Sequence, residues 1–261
     1  MPDTQGIVPM MFGLAEEQQH FRERNLKFIE VFPRISNRMD QMFGRAFKSP
    51  NKIQQMVFTF GCVIVEDFRE ILLNCANGYG IAGLKLLRPM FEATVTSIYL
   101  ARHPEELEAF LEYDCVHQRK GLQHAESLGI DVSRWLSKDE QIEIEANYKA
   151  IRGRYRQVCP KCGHSREQPS WTKMDPIAMA RDIGIEKASL SFYFFTTLLI
   201  HTTVTGISIE RAPQRSQADD AVAAAHRLMV LVLEYHNRYF GLGISGLREE
   251  LLRDVEYAWR G

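Results

Sequence analysis

Apolar residues recur along most of the chain at the three-to-four-residue spacing of an amphipathic helix, and strictly alternating segments are scarce. The pattern predicts one long or two short helices over residues 12 to about 47, bent at Pro33 and ended by Ser49 and Pro50. A second helix over residues 51–75 sends Met56, Phe60, Val63 and Ile64 toward a core. After a turn at Asn77-Gly78-Tyr79-Gly80, residues 81–101 carry the sharpest signal. Lys85, Arg88, Glu92, Thr96 and Tyr99 share one polar face, and Leu84, Leu87, Phe91, Val95 and Ile98 line the other.

Pro104 restarts the chain into a helix to about residue 127, with Glu105 and Glu106 where a helix N-terminus favours negative charge. Ser137 and Glu140 read as a capping box for a polar helix to about residue 157. Proline and glycine make 158–171, VCPKCGHSREQPSW, an irregular insertion. Asp175 and Pro176 open a short helix over 177–183 that Gly184 closes, and amphipathic helices over 217–240 and 247–259 finish the chain. No repeat period or heptad array is visible. The expected architecture is all-α: a multi-helix bundle of about seven to nine helices. Residues 1–50 form a helical arm and 51–261 the bundle domain, interrupted by the Cys-x-x-Cys insertion.

One run departs from amphipathic patterning. Residues 188–209, ASLSFYFFTTLLIHTTVTGISI, contain no Asp, Glu, Lys or Arg and are long enough to cross a bilayer. Nine of these 22 residues are Ser, Thr or His, so the run reads instead as a central bundle helix buried by its neighbours, with no membrane partner. The composition agrees: 45% hydrophobic and 25% charged residues in a chain of 261 suffice for a large core. Without a basic segment leading into an apolar core and a cleavage site, secretion is not expected. Five cysteines, an odd number, point to a reduced cytoplasmic protein rather than a disulfide scaffold. A net charge of -1 gives no global attraction to nucleic acid and leaves only a local basic patch open.

Within the uncharged run, Tyr193, Thr197 and His201 are spaced four apart, with Thr205 extending the stripe. A buried polar stripe needs partners, and the polar face through Arg88 and Glu92 offers them. If the two helices face each other, Glu92 can orient the imidazole, His201 can serve as general acid or base, Arg88 can stabilise an anion and Tyr193 can position it. The competing reading is structural: an i,i+4 ion pair and a satisfied core network. Pro89 either kinks the helix beside Arg88 or marks a helix start.

Cys159-Pro160-Lys161-Cys162-Gly163-His164 has the spacing of half a zinc knuckle. His164 is a candidate third ligand for a structural zinc, with Cys115, His117 or His124 as a fourth, or with ligands shared across a dimer. A redox pair and unligated cysteines are the alternatives, and no beta-alpha-beta pattern surrounds the pair. The Arg119 to His124 spacing found in helical ribonuclease toxins has little specificity here. Glu66, Asp67 and Glu70 read as a solvated face, since paired Glu-x-x-His motifs are absent. Gly-rich phosphate loops, Gly-x-Ser-x-Gly and His-Glu-x-x-His are also absent.

The stretch GLKLLRPMFEATVTSIYLARHPEELEAFLEYDCVHQRK, with the later YFFTTLLIHTTVTG, resembles bacterial domain-of-unknown-function family 5677 over about residues 50–210. Arg88, Phe91-Glu92, Pro104-Glu105-Glu106, Phe110, Tyr113 and His201 occupy the positions that carry the likeness, and Pro89 and the Cys-x-x-Cys segment depart from it. The resemblance implies a helical fold, distantly like RNA- and nucleotide-acting domains of toxin and defence systems. The toxin-type Arg-x(4-6)-His spacing does not end at His201, because positions 194 to 196 are Phe194, Phe195 and Thr196. Two functions are expected. One is a metal-independent effector acting on RNA or a nucleotide; the other is a non-catalytic interaction scaffold with a structural zinc knuckle and a homodimeric or other protein partner.

Overall fold

Within its own compact unit, the helix with the sharpest two-faced pattern packs against several others. This is seen in a computed structural model that describes residues 15–44, 50–201 and 214–260, without the side chains of 189–191. The fold is mainly α, and its β component among the described residues is one two-stranded sheet. None of the described helices is long and apolar enough to cross a membrane. The chain divides into two compact units, Met1–Arg102 with Pro176–Gly261 and His103–Asp175.

In the first unit, α1 (Ala15–Arg24) and α2 (Leu26–Phe43) are separated at Asn25, while Pro33 lies inside α2. The expected bend is therefore displaced by eight positions for a local reason. The Asn25 amide donates to the Phe21 carbonyl at 3.0 Å and to Asp219 at 2.9 Å, competing with the helical ladder. Next come α3 (Lys52–Ala76), started by an Asn51/Gln54 capping box, and α4 (Gly80–Arg102). α3 buries Val57, Ile64, Phe68 and Ile71, whereas Val63, expected in the core, is 46% exposed. An apolar-rich helix offers more than one plausible stripe, and packing against α4 selects among them.

α4 also packs against α10 (Arg215–Tyr239), and α2 packs against α11 (Leu247–Trp259). Glycines allow the closest approaches. A Cβ on Gly80 would fall 2.3 Å from the Gln214 carbonyl oxygen, and one on Gly83 would fall 2.4 Å from Cys75 Sγ. At the other end, Phe28 packs 5.4 Å from the rings of both His226 and Trp259.

The second unit contains α5 (Leu107–Ser127), α6 (Lys138–Ile151) and the antiparallel pair β1 (Arg156–Val158) and β2 (Ser165–Glu167). The Ser137/Glu140 capping box is formed, but α6 ends at Ile151 rather than near 157, because the chain turns and enters β1. Residues 158–167 of the stretch expected to be irregular thus belong to a hairpin, and 168–171 are irregular. Three buried tyrosines anchor this unit: Tyr113 donates to the Gln168 carbonyl, Tyr148 to Glu167, and Tyr155 to the Ala109 carbonyl. Their rings share a cluster with Val116 and Ile151.

The remaining elements belong to the first unit: α7 (Pro176–Asp182), closed at Gly184 with φ +82°, then α8 (Glu186–Ser189), a π-helical turn (Leu190–Phe194) and α9 (Phe195–Ile200). The uncharged run is therefore not one buried central helix. Phe194 and Phe195 are 52% and 55% exposed, and Ile200 is also exposed. The hydroxyls of Thr196 and Thr197 bond back to the carbonyls of Phe192 and Tyr193, which favours the widened turn over regular α geometry. Positions 202–209, including Thr205, lie outside the described residues.

Candidate functional site

Arg88 leaves α4 on the side that meets the π-helical turn and α9. Its Nε donates to Glu92 Oε1 at 2.8 Å, one helical turn along. Across the seam, Nη1 donates to Thr197 Oγ1 at 3.2 Å and Nη2 to the Tyr193 hydroxyl at 3.3 Å. The guanidinium carbon also lies 4.6 Å from the centre of the Tyr193 ring. Thr197 gives its own proton to the Tyr193 carbonyl, so its oxygen is oriented to accept from Arg88.

Beneath this cluster, Phe91 stacks on Phe192 at 5.9 Å with both rings buried, which fixes the turn against α4. The two expected stripes therefore do meet through Arg88, Glu92, Tyr193 and Thr197. The Arg88 side chain keeps 21% exposure and Glu92 38%, so the group is half-buried rather than dry. A guanidinium carries five N–H bonds. Three are engaged in these contacts, and two have no acceptor among the described residues.

His201 is placed differently from the expectation. α9 ends at Ile200, and His201 is its exposed C-cap in extended backbone. Its backbone N–H reaches the Thr197 carbonyl at 3.2 Å, and its ring makes no hydrogen bond with Arg88 or Glu92. Glu92 therefore does not orient this imidazole. Pro89 sits inside α4, which continues through it, so it is not a helix start.

Phe194 and Phe195, expected to be buried with the rest of the uncharged run, are exposed instead. They follow Tyr193 directly, contact each other edge-to-face at 5.9 Å and present apolar faces to solvent. The aromatic run from Phe192 to Phe195 was the available signal, masked by the assumption that the whole run is core.

In the second unit, the β1–β2 loop carries Cys159, Cys162 and His164. The Cys159 N–H donates to the His164 carbonyl and the Gly163 N–H to the Cys159 carbonyl, both at 2.9 Å, with Gly163 at φ +70°. Backbone N–H groups of Lys161 and then Cys162, with the Cys162 side chain, hydrogen-bond toward the Cys159 sulfur and hold its thiol below the ordinary cysteine range. Among the described residues, no three His, Cys, Asp or Glu side chains gather in a group that could hold a metal. Cys115, His117, His124 and His164 therefore do not complete the pair's coordination within the chain.

The minor candidates resolve simply. Arg119 pairs with Glu145 and more distantly with Glu126, leaving it tied away from exposed His124. Glu66 pairs with Arg69, as a solvated face should, but Asp67 is half-buried.

Residues 55–213, more than half of the chain and including the whole Arg88 cluster, match the family of unknown function DUF5677. No curated protein and no solved structure matches the chain.

Proposed function

The chain belongs to this family of unknown function, and from the Arg88 cluster we propose that it is an effector acting on RNA or a nucleotide, with Arg88 holding the phosphate. The observation that carries this reading is a half-buried guanidinium, two of whose N–H donors have no acceptor among the described residues, held by Tyr193, the residue that precedes exposed Phe194 and Phe195 in the chain. A guanidinium fork matches the geometry of phosphate oxygens. Exposed aromatic faces stack the bases of single-stranded nucleic acid.

Glu92 gives the site its selectivity. Its carboxylate offsets the arginine charge, so binding depends on directed hydrogen bonds and stacking more than on bulk positive potential. That suits a chain whose net charge is -1. Tyr193 fixes the plane of the guanidinium, and His201 acts as the general acid or base toward a phosphodiester held there, chemistry that needs no catalytic metal. Fluorescence anisotropy with a labelled single-stranded RNA and a labelled mononucleotide tests the proposal. Binding of RNA alone makes RNA the substrate class, and binding of the mononucleotide makes it a nucleotide. No binding of either at millimolar protein contradicts the reading.

The exposed hairpin supports a second reading, an interaction scaffold. Val158 is exposed beside the cysteine loop, a combination that suits a docking knob held by zinc.

A further inference from the structure

We propose that Cys159 and Cys162 are one half of a tetrahedral zinc site whose other half is the same pair on a second copy of this chain. The inference deepens the scaffold reading of the hairpin and does not depend on the phosphate site.

The hairpin presents two sulfurs together. Its loop is closed by the bonds between Cys159 and His164 and between Gly163 and Cys159. Cys159 and Cys162 lie within the one turn spanned by the Gly163 bond to the Cys159 carbonyl, so both sulfurs belong to the same hairpin tip. Residues 160–166 at the tip are all exposed, so a second molecule can reach the pair.

A closed structural zinc site takes four ligands. Every cysteine and histidine of the chain lies among the described residues, and none joins the pair to make a group of three. Two further sulfur ligands are therefore sought outside the chain. A twofold axis through the metal supplies them from the identical loop, in the self-complementary manner of a symmetric dimer.

Charge favours this arrangement over a metal-free contact. Four thiolates around Zn²⁺ carry a net charge of -2, and each hairpin contributes exposed Arg156, Lys161 and Arg166 around them. Without the metal, those six cations would oppose the approach of two copies. Assembly is thus metal-dependent. Each thiol loses its proton to solvent as its sulfur binds, and no redox step is involved.

The test uses the full chain, reduced and stripped of metal with a chelator, then titrated with Co²⁺ as a spectroscopic probe and with Zn²⁺. The expected results are thiolate-to-cobalt absorption of a tetrahedral all-sulfur site, one metal per two chains, and a doubling of mass by light scattering that chelation reverses. Cys159→Ser and Cys162→Ser should each lose both signals with helical content retained, and His164→Ala should keep both. Several outcomes would overturn the proposal: no bound metal, one metal per chain at single-chain mass, a mass indifferent to metal, or loss of binding in His164→Ala.

Discussion

The Arg88 guanidinium lies over the Tyr193 ring at 4.6 Å while also donating to the hydroxyl of that same residue. One tyrosine therefore sets both the plane and the rotation of the charge, a contact worth about 1–2 kcal/mol at a partly desolvated site. Within α4, arginine precedes glutamate, the less favourable order for an i,i+4 pair. The contacts across to Tyr193 and Thr197, more than helical pairing, account for a guanidinium held in one orientation.

The His201 ring, one turn beyond Thr197, makes no hydrogen bond to Arg88 or Glu92, so its chemical role separates cleanly from stability. His201→Ala should leave RNA affinity within about twofold and lower a cleavage rate by roughly 10²–10⁴. Equal single-turnover rates for two folded proteins would remove His201 from the mechanism.

Asp67 gives a pH signature in the α3 region. Burial first and Glu70 second push its carboxyl up to about 6, and its Oδ2 has no hydrogen-bond partner among the described residues. The folded chain keeps a proton that the unfolded chain loses near pH 4, so stability falls as pH rises from about 4 to about 6. Asp67→Asn removes the charge and should stabilise the protein at pH 7 by ~1–2 kcal/mol, allowing for solvent screening of a half-exposed group. Urea denaturation should show that gain vanishing below about pH 4. A gain equal at both pH values would contradict the assignment.

His226 has the opposite sign. Its Nδ1 accepts from Trp259 Nε1 at 3.0 Å, and burial pushes the imidazole down to about 4, with Asp254 partly opposing. The unfolded chain takes up a proton near pH 6.5 that the folded chain refuses until about pH 4, so stability is lost as pH falls through that window. The loss attributable to this group is ~2–3 kcal/mol. In His226→Phe the denaturation midpoint should decline less between about pH 6.5 and 4 than in the wild type. A parallel decline would show that the imidazole does not titrate in this way.

Gly80 brings the start of α4 against the backbone of α10. Gly80→Ala gains helix propensity of about 1 kcal/mol but places a Cβ 2.4 Å from the Ala218 nitrogen as well as on the Gln214 carbonyl. A net loss of ~1–2 kcal/mol in chemical denaturation is expected, because backbone on both sides must move. Unchanged or raised stability would mean that the two helices separate freely.

What could be read in advance follows the length of each pattern. Residues 247–259 were placed to the residue, and the polar face through Arg88 and Glu92 was legible because it repeats over several turns. The stripe of Tyr193 and Thr197 was legible for the same reason, and the structure supplies its partner. The position of His201 was not legible: threonine back-bonding and a π-helical turn end the helix one residue before it. The hairpin escaped because two three-residue strands are too short to show alternation. Its order comes from tyrosines on α5 and α6, distant in sequence.

The most direct test of the account is the affinity of Arg88→Lys for single-stranded RNA, measured by anisotropy beside the wild type with helical content checked. Lysine keeps the charge but lacks the planar fork that Tyr193, Thr197 and Glu92 hold in place. The expected result is an affinity about tenfold weaker, equivalent to ~1.4 kcal/mol, in a protein that remains folded. Equal affinity in the two proteins would contradict the claim that Arg88 recognises phosphate through its oriented guanidinium.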